Sequence, residues 1–260
     1  MSVEGIKTGN GLSKLYRAQK TPDTSFYEQF KGNYQSLQKT QATTDSDTVS
    51  LGSSLTKLMG ETYSFLADRR GTSENERLAY ASILNKAYLN HGMDNPQGFL
   101  QSLSPAELAV IQREKSLAEP IQPQQLSKEG AMNLLLPTGY SVDLNRDGFE
   151  EVGLARTAGF PPRDAPAEFQ QAWADTIDGM DEGDVMTYTM MSRLAIVGIS
   201  LDPEHPNPPL HATDKLQSYT DAIANLLANL KAQAPYNTPQ QIQKDQDFYL
   251  RLQQALGKLS

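Results

Sequence analysis

The stretch from Ser141 to Ala155, SVDLNRDGFEEVGLA, has residue types and spacing that suit a divalent cation. Side-chain oxygens stand at alternate positions of a short loop, a glycine follows them, and a further carboxylate comes three residues later. A tight turn brings such side chains together, and a backbone carbonyl within the turn adds another oxygen. The sequence therefore predicts a site for one divalent cation in this loop.

This pattern resembles the EF-hand calcium loop from Asp143 to Leu154. The resemblance implies one Ca²⁺ ion with these candidate ligands: Asp143, Asn145, Asp147, the carbonyl of Phe149 and Glu151. Gly148 falls where that loop turns sharply, a place that favours a residue with positive φ. Two positions depart from the EF-hand pattern. Leu154 stands where an EF-hand has a bidentate glutamate, and Glu150 stands where it has an apolar residue. The lost ligand predicts weak to moderate affinity, with a Kd on the order of 10⁻⁵ to 10⁻³ M.

The residues on each side of the loop predict a β-hairpin with the ion at its tip. GYSVD precedes the loop, and EEVGLA follows it with apolar Val152 and Leu154 in alternation, as in a strand. In this respect the loop is similar to the short D-x-[DN]-x-D-G-x-x-[DE] calcium loops found between strands, as in integrin-type repeats. The alternative is a turn without an ion, because Asp, Asn and Gly are also the residues that tight turns use.

Negative charge is concentrated around this loop. The residues from Ser141 to Val185 include eleven acidic and three basic side chains, so this stretch carries the whole net charge of −8. Such a field attracts cations and repels phosphate backbones, so we expect no nucleic-acid partner. Part of this charge belongs to a second acidic cluster, Asp175 to Asp184, which we interpret as a solvated turn with Asp184 as a helix N-cap. A second ion site, or a contribution to the first, is the alternative for this cluster.

The remaining sequence predicts an all-α fold, mainly a helical bundle, with one small β-hairpin that carries the calcium-type loop. Apolar residues recur at three and four residues in several segments, and capping residues mark where the helices begin. Ser73 with Glu76 and Ser104 with Glu107 have capping-box spacing. Further N-caps are predicted at two positions: Ser127 and Thr238.

The domain organisation is predicted from changes in composition. Residues 1–47 are expected to form a flexible N-terminal arm with a short helix near Phe26 to Leu37, followed by a polar link from Gln38 to Thr48. Residues 48–260 are expected to form a single helical domain that contains the acidic calcium-loop region 138–185.

Cysteine is absent, which excludes disulfides, thiol catalysis and thiolate metal sites. The first residues lack the pattern of a Sec-type signal peptide, and no run is apolar enough for a membrane span. Acidic chains without cysteine that are rich in Gln, Ser and Thr resemble substrates of bacterial type I or type III exporters. We therefore expect an exported, extracellular protein that leaves by a route other than Sec, with a cytoplasmic protein as the alternative.

No sequence motif of a nucleophilic hydrolase, a phosphate-binding glycine loop or a zinc protease is present, and no catalytic residue is predicted. The favoured hypothesis is a non-enzymatic calcium-binding protein whose ion stabilises a hairpin and an acidic surface for an unidentified protein partner. One alternative is a hydrolase that uses the acidic cluster or the bound ion as a Lewis acid. Another is a cytoplasmic adaptor or chaperone in which the loop is an empty turn.

Overall fold

The computed structural model describes residues 24–43, 54–55, 57–145, 149–198, 209–233 and 237–259. Most of these residues are helical, and the sheet found among them has two antiparallel strands. The prediction of an all-α protein with a small β-hairpin is confirmed at this level. Within the described ranges, no helix is both long enough and apolar enough to cross a membrane.

The chain divides into two compact units. The N-terminal unit comprises Gln19–Ala158, and the C-terminal unit comprises Gly159–Ser260. The division into 1–47 and 48–260 stays a prediction about which parts fold independently.

The N-terminal unit contains six of the described α-helices and both described strands. In chain order they are α1 (Thr24–Thr43), α2 (Glu61–Arg70), α3 (Glu74–Leu89), α4 (Pro96–Gln101), α5 (Pro105–Glu114), a 3₁₀ turn (Pro123–Gln125), α6 (Lys128–Leu134), β1 (Phe149–Val152) and β2 (Ala155–Ala158). Both predicted capping boxes are present, at the start of α3 and the start of α5. Ser127 caps α6 as predicted, since its hydroxyl accepts the N–H of Gly130 at 2.9 Å.

Helix α1 is longer than the short helix predicted for the arm. It continues through residues 38–43, which the sequence analysis assigned to the polar link. Gln, Lys and Ala are good helix formers, so polarity alone did not end the helix. Phe30, Tyr34 and Leu37 are buried in the core of the N-terminal unit, at the spacing of one helix face. The predicted disorder of Met1 to Leu12 concerns residues outside the described ranges.

The C-terminal unit contains four of the described α-helices. They are α7 (Ala167–Ile177), α8 (Glu182–Ile196), α9 (Leu216–Asn229), followed by a 3₁₀ turn (Leu230–Gln233), and α10 (Pro239–Gly257). Thr238 caps α10 as predicted. Aromatic rings dominate the core: Phe169 stacks on Tyr219 with ring centroids 3.9 Å apart, and Tyr188 stacks on Phe248 at 3.8 Å. Such buried ring pairs stabilise a core beyond the area that they bury.

Candidate metal centre

Helix α6 forms the base of the candidate calcium loop, and a glycine lets it lie against the β-hairpin. The N–H of Gly153, in the hairpin turn, donates to the carbonyl of Gly130 at 3.0 Å. A Cβ at position 130 would lie 2.2 Å from the carbonyl oxygen of Gly153, so only glycine fits there. The backbone of α6 is therefore in direct contact with the hairpin turn.

Glu129 on α6 joins the two ends of the loop. Its side chain is buried, with 5% of the residue exposed. One carboxylate oxygen accepts the N–H of Leu144 at 2.7 Å, and the other accepts the N–H of Glu151 at 2.9 Å. A single carboxylate thus holds the residue after Asp143, at the start of the loop, and Glu151, at its end.

Asn133 lies one helical turn further along α6 and acts on the same two chain segments. It is fully buried, and its amide nitrogen donates to the carbonyl of Val142 at 2.8 Å and to that of Glu151 at 2.7 Å. Its side-chain oxygen accepts the N–H of Val142 at 2.7 Å. Buried backbone groups are costly when they lack partners, so these bonds fix the entry and the exit of the loop.

The pKa of Glu129 reflects the other carboxylates near the loop. Burial raises the pKa of Glu129, and the charges of Asp143 and Glu151 raise it further. Hydrogen bonds from the N–H groups of Glu151 and Leu144 act in the opposite direction and lower this pKa. Three carboxylates therefore influence one another here, and a bound cation would relieve their repulsion.

The predicted ligands differ in their surroundings. Asp143 is half-buried, whereas Asn145 is exposed. Asp147 and Gly148 lie outside the described residues. Phe149 begins β1 opposite Ala158, and Glu151 stands opposite Arg156. The carbonyl of Glu151 faces α6, where it accepts a hydrogen bond from the side chain of Asn133 at 2.7 Å.

The carboxylate of Glu151 already has protein partners. The hydroxyl of Ser127 donates to one of its oxygens, and Nε of Arg156 lies 3.5 Å from the other. The guanidinium of Arg156 also lies over the ring of Phe149, 4.7 Å from its centroid. Within the described ranges, which do not include Asp147, no group of three or more His, Asp or Glu side chains is arranged to hold a metal. A metal at this loop would have to share Glu151 with Ser127 and Arg156.

The hairpin prediction was right in kind but wrong in its pairing. The sequence pattern placed the loop at the tip of a hairpin between GYSVD and EEVGLA, but residues 140–145, which are described, form no strand. Strand β1 pairs with β2, and the turn between them is at Gly153 and Leu154. Gly153 has φ 64°, which a tight turn needs and which β-branched or bulky residues avoid. The loop therefore precedes the hairpin, and Leu154 is 60% exposed in its turn.

The second acidic cluster supplies capping residues for the helices on each side of it. Asp178 is the C-cap residue of α7, and Asp181 is the N-cap of α8, accepting the N–H of Gly183 at 2.8 Å. The prediction that Asp184 is the N-cap was therefore wrong by one turn, and Asp184 forms an ion pair with Lys244 instead. Asp175 accepts a hydrogen bond from Gln171 at 2.7 Å.

Sequence reasoning missed Glu129 and Asn133. They are four residues apart on a predicted helix and therefore share one face, and buried Ala131, Leu134 and Leu135 lie near them in the chain. Polar residues with helical spacing next to an apolar run were a usable signal for buried hydrogen bonds. The sequence did not show which backbone groups they bind.

The comparisons with known proteins give this chain no family. No protein-family model, curated protein or solved structure matches it. Function is therefore inferred from the loop and the side chains that surround it.

Proposed function

We propose that this chain is a non-enzymatic calcium-binding protein. One ion would bind in the loop from Asp143 to Glu151, stabilise the loop and the hairpin that follows, and fix an acidic surface that a protein partner recognises. The observation that carries the proposal is the closure of this loop by α6, because Glu129 bonds the N–H groups of both Leu144 and Glu151. A loop with the oxygen spacing of a calcium site thus has both ends held together.

The charges at the loop support a cation as the ligand. Asp143 and Glu151 both raise the pKa of Glu129, so the carboxylates there repel one another. A divalent ion would stabilise all of them at once, and oxygen ligands are those that Ca²⁺ prefers. Arg156 now supplies part of this compensation, at 3.5 Å from Glu151. We therefore expect calcium either to displace Arg156 from Glu151 or to bind the carboxylate oxygen of Glu151 that Arg156 does not approach.

An enzymatic role has less support from the described residues. A catalytic ion needs an open coordination position beside a pocket. A cavity of about 990 Å³ in the C-terminal unit is lined by residues that include Met180, Tyr188, Phe248 and Arg251, and none of the proposed ligands belongs to its lining. We therefore favour a structural ion over a Lewis acid. Export by a route other than Sec is part of the proposal, since an extracellular calcium level would suit the predicted affinity.

The test is isothermal calorimetry with CaCl₂ on chelator-treated protein, together with thermal melts. We expect calcium to bind the wild type with a Kd on the order of 10⁻⁵ to 10⁻³ M and to raise its Tm. Asp147→Ala should lose both effects. Asp221→Ala, the same change at an exposed site on α9, is the matched control and should respond to calcium as the wild type does.

Absence of both heat and a Tm shift in the wild type would contradict the proposal. The loop would then be a structural turn held by Glu129, Asn133 and Ser127, and the adaptor interpretation would gain support.

A further inference from the structure

We propose that one exposed side of α8 is a docking surface for a basic amphipathic helix of a protein partner. Four apolar side chains form this surface, which we call the α8 face: Met186, Met190, Leu194 and Leu210. All four belong to the C-terminal unit, whereas the calcium loop belongs to the N-terminal unit. Docking on the α8 face therefore goes beyond the proposed function and needs no ion.

The α8 face contains half of the eight large apolar side chains that the described residues expose. Met186 is 73% exposed, Met190 49% and Leu194 39%. These three residues are four apart in the chain, so they follow one another along one side of the helix over about 12 Å. Single exposed apolar side chains are ordinary on a protein surface, whereas contiguous ones indicate an interaction site.

Leu210 extends this row beyond the end of α8. Gly198 comes four residues after Leu194, and the Cγ atom of Leu210 lies 3.0 Å from where a Cβ of residue 198 would be. The N–H of Leu210 donates to the carbonyl of Val197 at 3.2 Å, which holds it against the end of the helix. Its side chain is 65% exposed, so the α8 face continues from the helix onto Leu210.

The charge beside the α8 face is negative. Exposed carboxylates lie at the start of the helix: Asp178, Asp181 and Glu182. Glu182 stands four residues before Met186, on the same side of α8. The basic residue of α8, Arg193, is buried and donates to the carbonyl of Gly159 at 3.0 Å. Helix α8 therefore contributes only negative charge to this surface.

The combination of an apolar row with an acidic end indicates the chemistry of the partner. An amphipathic helix has apolar side chains every three or four residues and would bury them on the α8 face. Basic residues beside those side chains would pair with the carboxylates at the start of α8. Methionine is flexible and adapts to the shape of a partner, which suits this mode of recognition.

Two other occupants fit this surface less well. An anionic lipid surface would be repelled by Asp178, Asp181 and Glu182. A second copy of the chain would bring its own α8, which has no exposed basic side chain to pair with those carboxylates. A basic amphipathic helix satisfies both the apolar row and the charge.

The first experiment follows the methionine methyl groups by NMR in the full-length wild type, with chelator present, during titration with two peptides. Both peptides are amphipathic helices of about 18 residues with the same leucines, and their polar residues are lysine in one and glutamate in the other. We expect the methyl signals of Met186 and Met190 to shift with the lysine peptide only. The signal of Met59, which is fully buried, should stay in place. No shift at Met186 and Met190, or an equal response to the glutamate peptide, would overturn the proposal.

Substitutions then test the apolar row and the charge separately. The double variant Met186→Gln, Met190→Gln should raise the Kd for the lysine peptide at least about tenfold, and Leu89→Gln, at an exposed position on α3, should leave it unchanged. Glu182→Lys should raise this Kd at least about threefold. Its matched control is Glu168→Lys, because Glu168 also lies in the first turn of a helix. A Kd that does not depend on the two methionines would overturn docking on the α8 face.

Two further measurements test the other occupants. We expect sedimentation velocity of the protein alone to show a monomer at all concentrations, and we expect no binding to phosphatidylglycerol vesicles. Self-association or vesicle binding that the double methionine variant abolishes would overturn the proposal in favour of a second copy or a lipid surface. The peptide titrations contain chelator, so a failure of docking and a failure of the calcium site are distinguishable.

Discussion

Two acidic regions of this chain use their carboxylates differently. In the loop region, Glu129 reaches from α6 to backbone groups of Leu144 and Glu151, which lie far along the chain. In the cluster from Asp175 to Asp184, Asp181 accepts from Gly183, two residues away. Similar composition thus serves long-range closure in one unit and local helix capping in the other. The number of acidic residues indicated where negative charge is concentrated, but not which groups the carboxylates bind.

The same difference extends to burial. Glu129 and Asn133 are buried, whereas Asp175, Asp178 and Asp181 are exposed. A buried polar group that loses its partner is costly, while an exposed one exchanges its partner for water. We therefore expect substitutions around α6 to have larger effects than those in the second cluster. Three predictions test this expectation, in order of decreasing effect.

Gly130→Ala should destabilise the protein most, by about 2 kcal/mol, because the new Cβ would lie 2.2 Å from the carbonyl oxygen of Gly153. The hairpin turn and α6 would have to separate. Gly32→Ala is the matched control, since Gly32 lies within α1 and a Cβ there meets no atom within 4 Å. That control should be stabilised by about 0.5 to 1 kcal/mol. Urea unfolding monitored by circular dichroism measures both, and equal effects would show that α6 is not in close contact with the turn.

Lys115→Met should remove a pH dependence of the N-terminal unit. Burial, and then the charge of Arg70, lower the pKa of Lys115 from 10.5 to about 7, against opposing effects of Glu114 and Glu150. The ammonium group donates to the carbonyl of Leu136, just after α6, and lies over the ring of Tyr80.

The unfolded chain keeps the proton of Lys115 up to a pH near 10.5, so it binds more protons than the folded chain above pH 7. The free energy of unfolding should therefore rise between pH 7 and 9, by less than about 1.4 kcal/mol per pH unit. Lys115→Met should flatten this rise, and Lys258→Met, at an exposed position, should retain it. A profile of Lys115→Met that follows the wild type would refute the assignment.

Asp181→Ala should have the smallest of the three effects, a loss of about 1 kcal/mol from removal of the α8 cap. Asp184→Ala removes only a partly exposed ion pair with Lys244 and should cost less. Thermal melts with and without calcium measure both. The rise in Tm with calcium should be the same in Asp181→Ala as in the wild type. Its loss in this variant would show that the second cluster takes part in cation binding.

Much of the helical fold could be predicted because its signals are local. A capping box needs only Ser73 and Glu76 in the right order, and the structure has both of its hydrogen bonds. The length of α1 was missed because a polar stretch was interpreted as a link although its residues favour a helix. The N-cap of α8 was misplaced because Asp181 and Asp184 are both suitable capping residues, and the choice depends on where the chain turns.

The sequence by itself determined the helical class, four of the helix starts, the absence of cysteine and the oxygen spacing of the loop from Asp143 to Glu151. These features depend on neighbours within a few residues. The tertiary structure alone decided that β1 pairs with β2 beyond the loop, and that Glu129 and Asn133 close it. The physical reason is that the backbone groups of an irregular segment need hydrogen-bond partners, and the fold can supply these from residues far away in the sequence. The sequence does not show which distant residues the fold brings close.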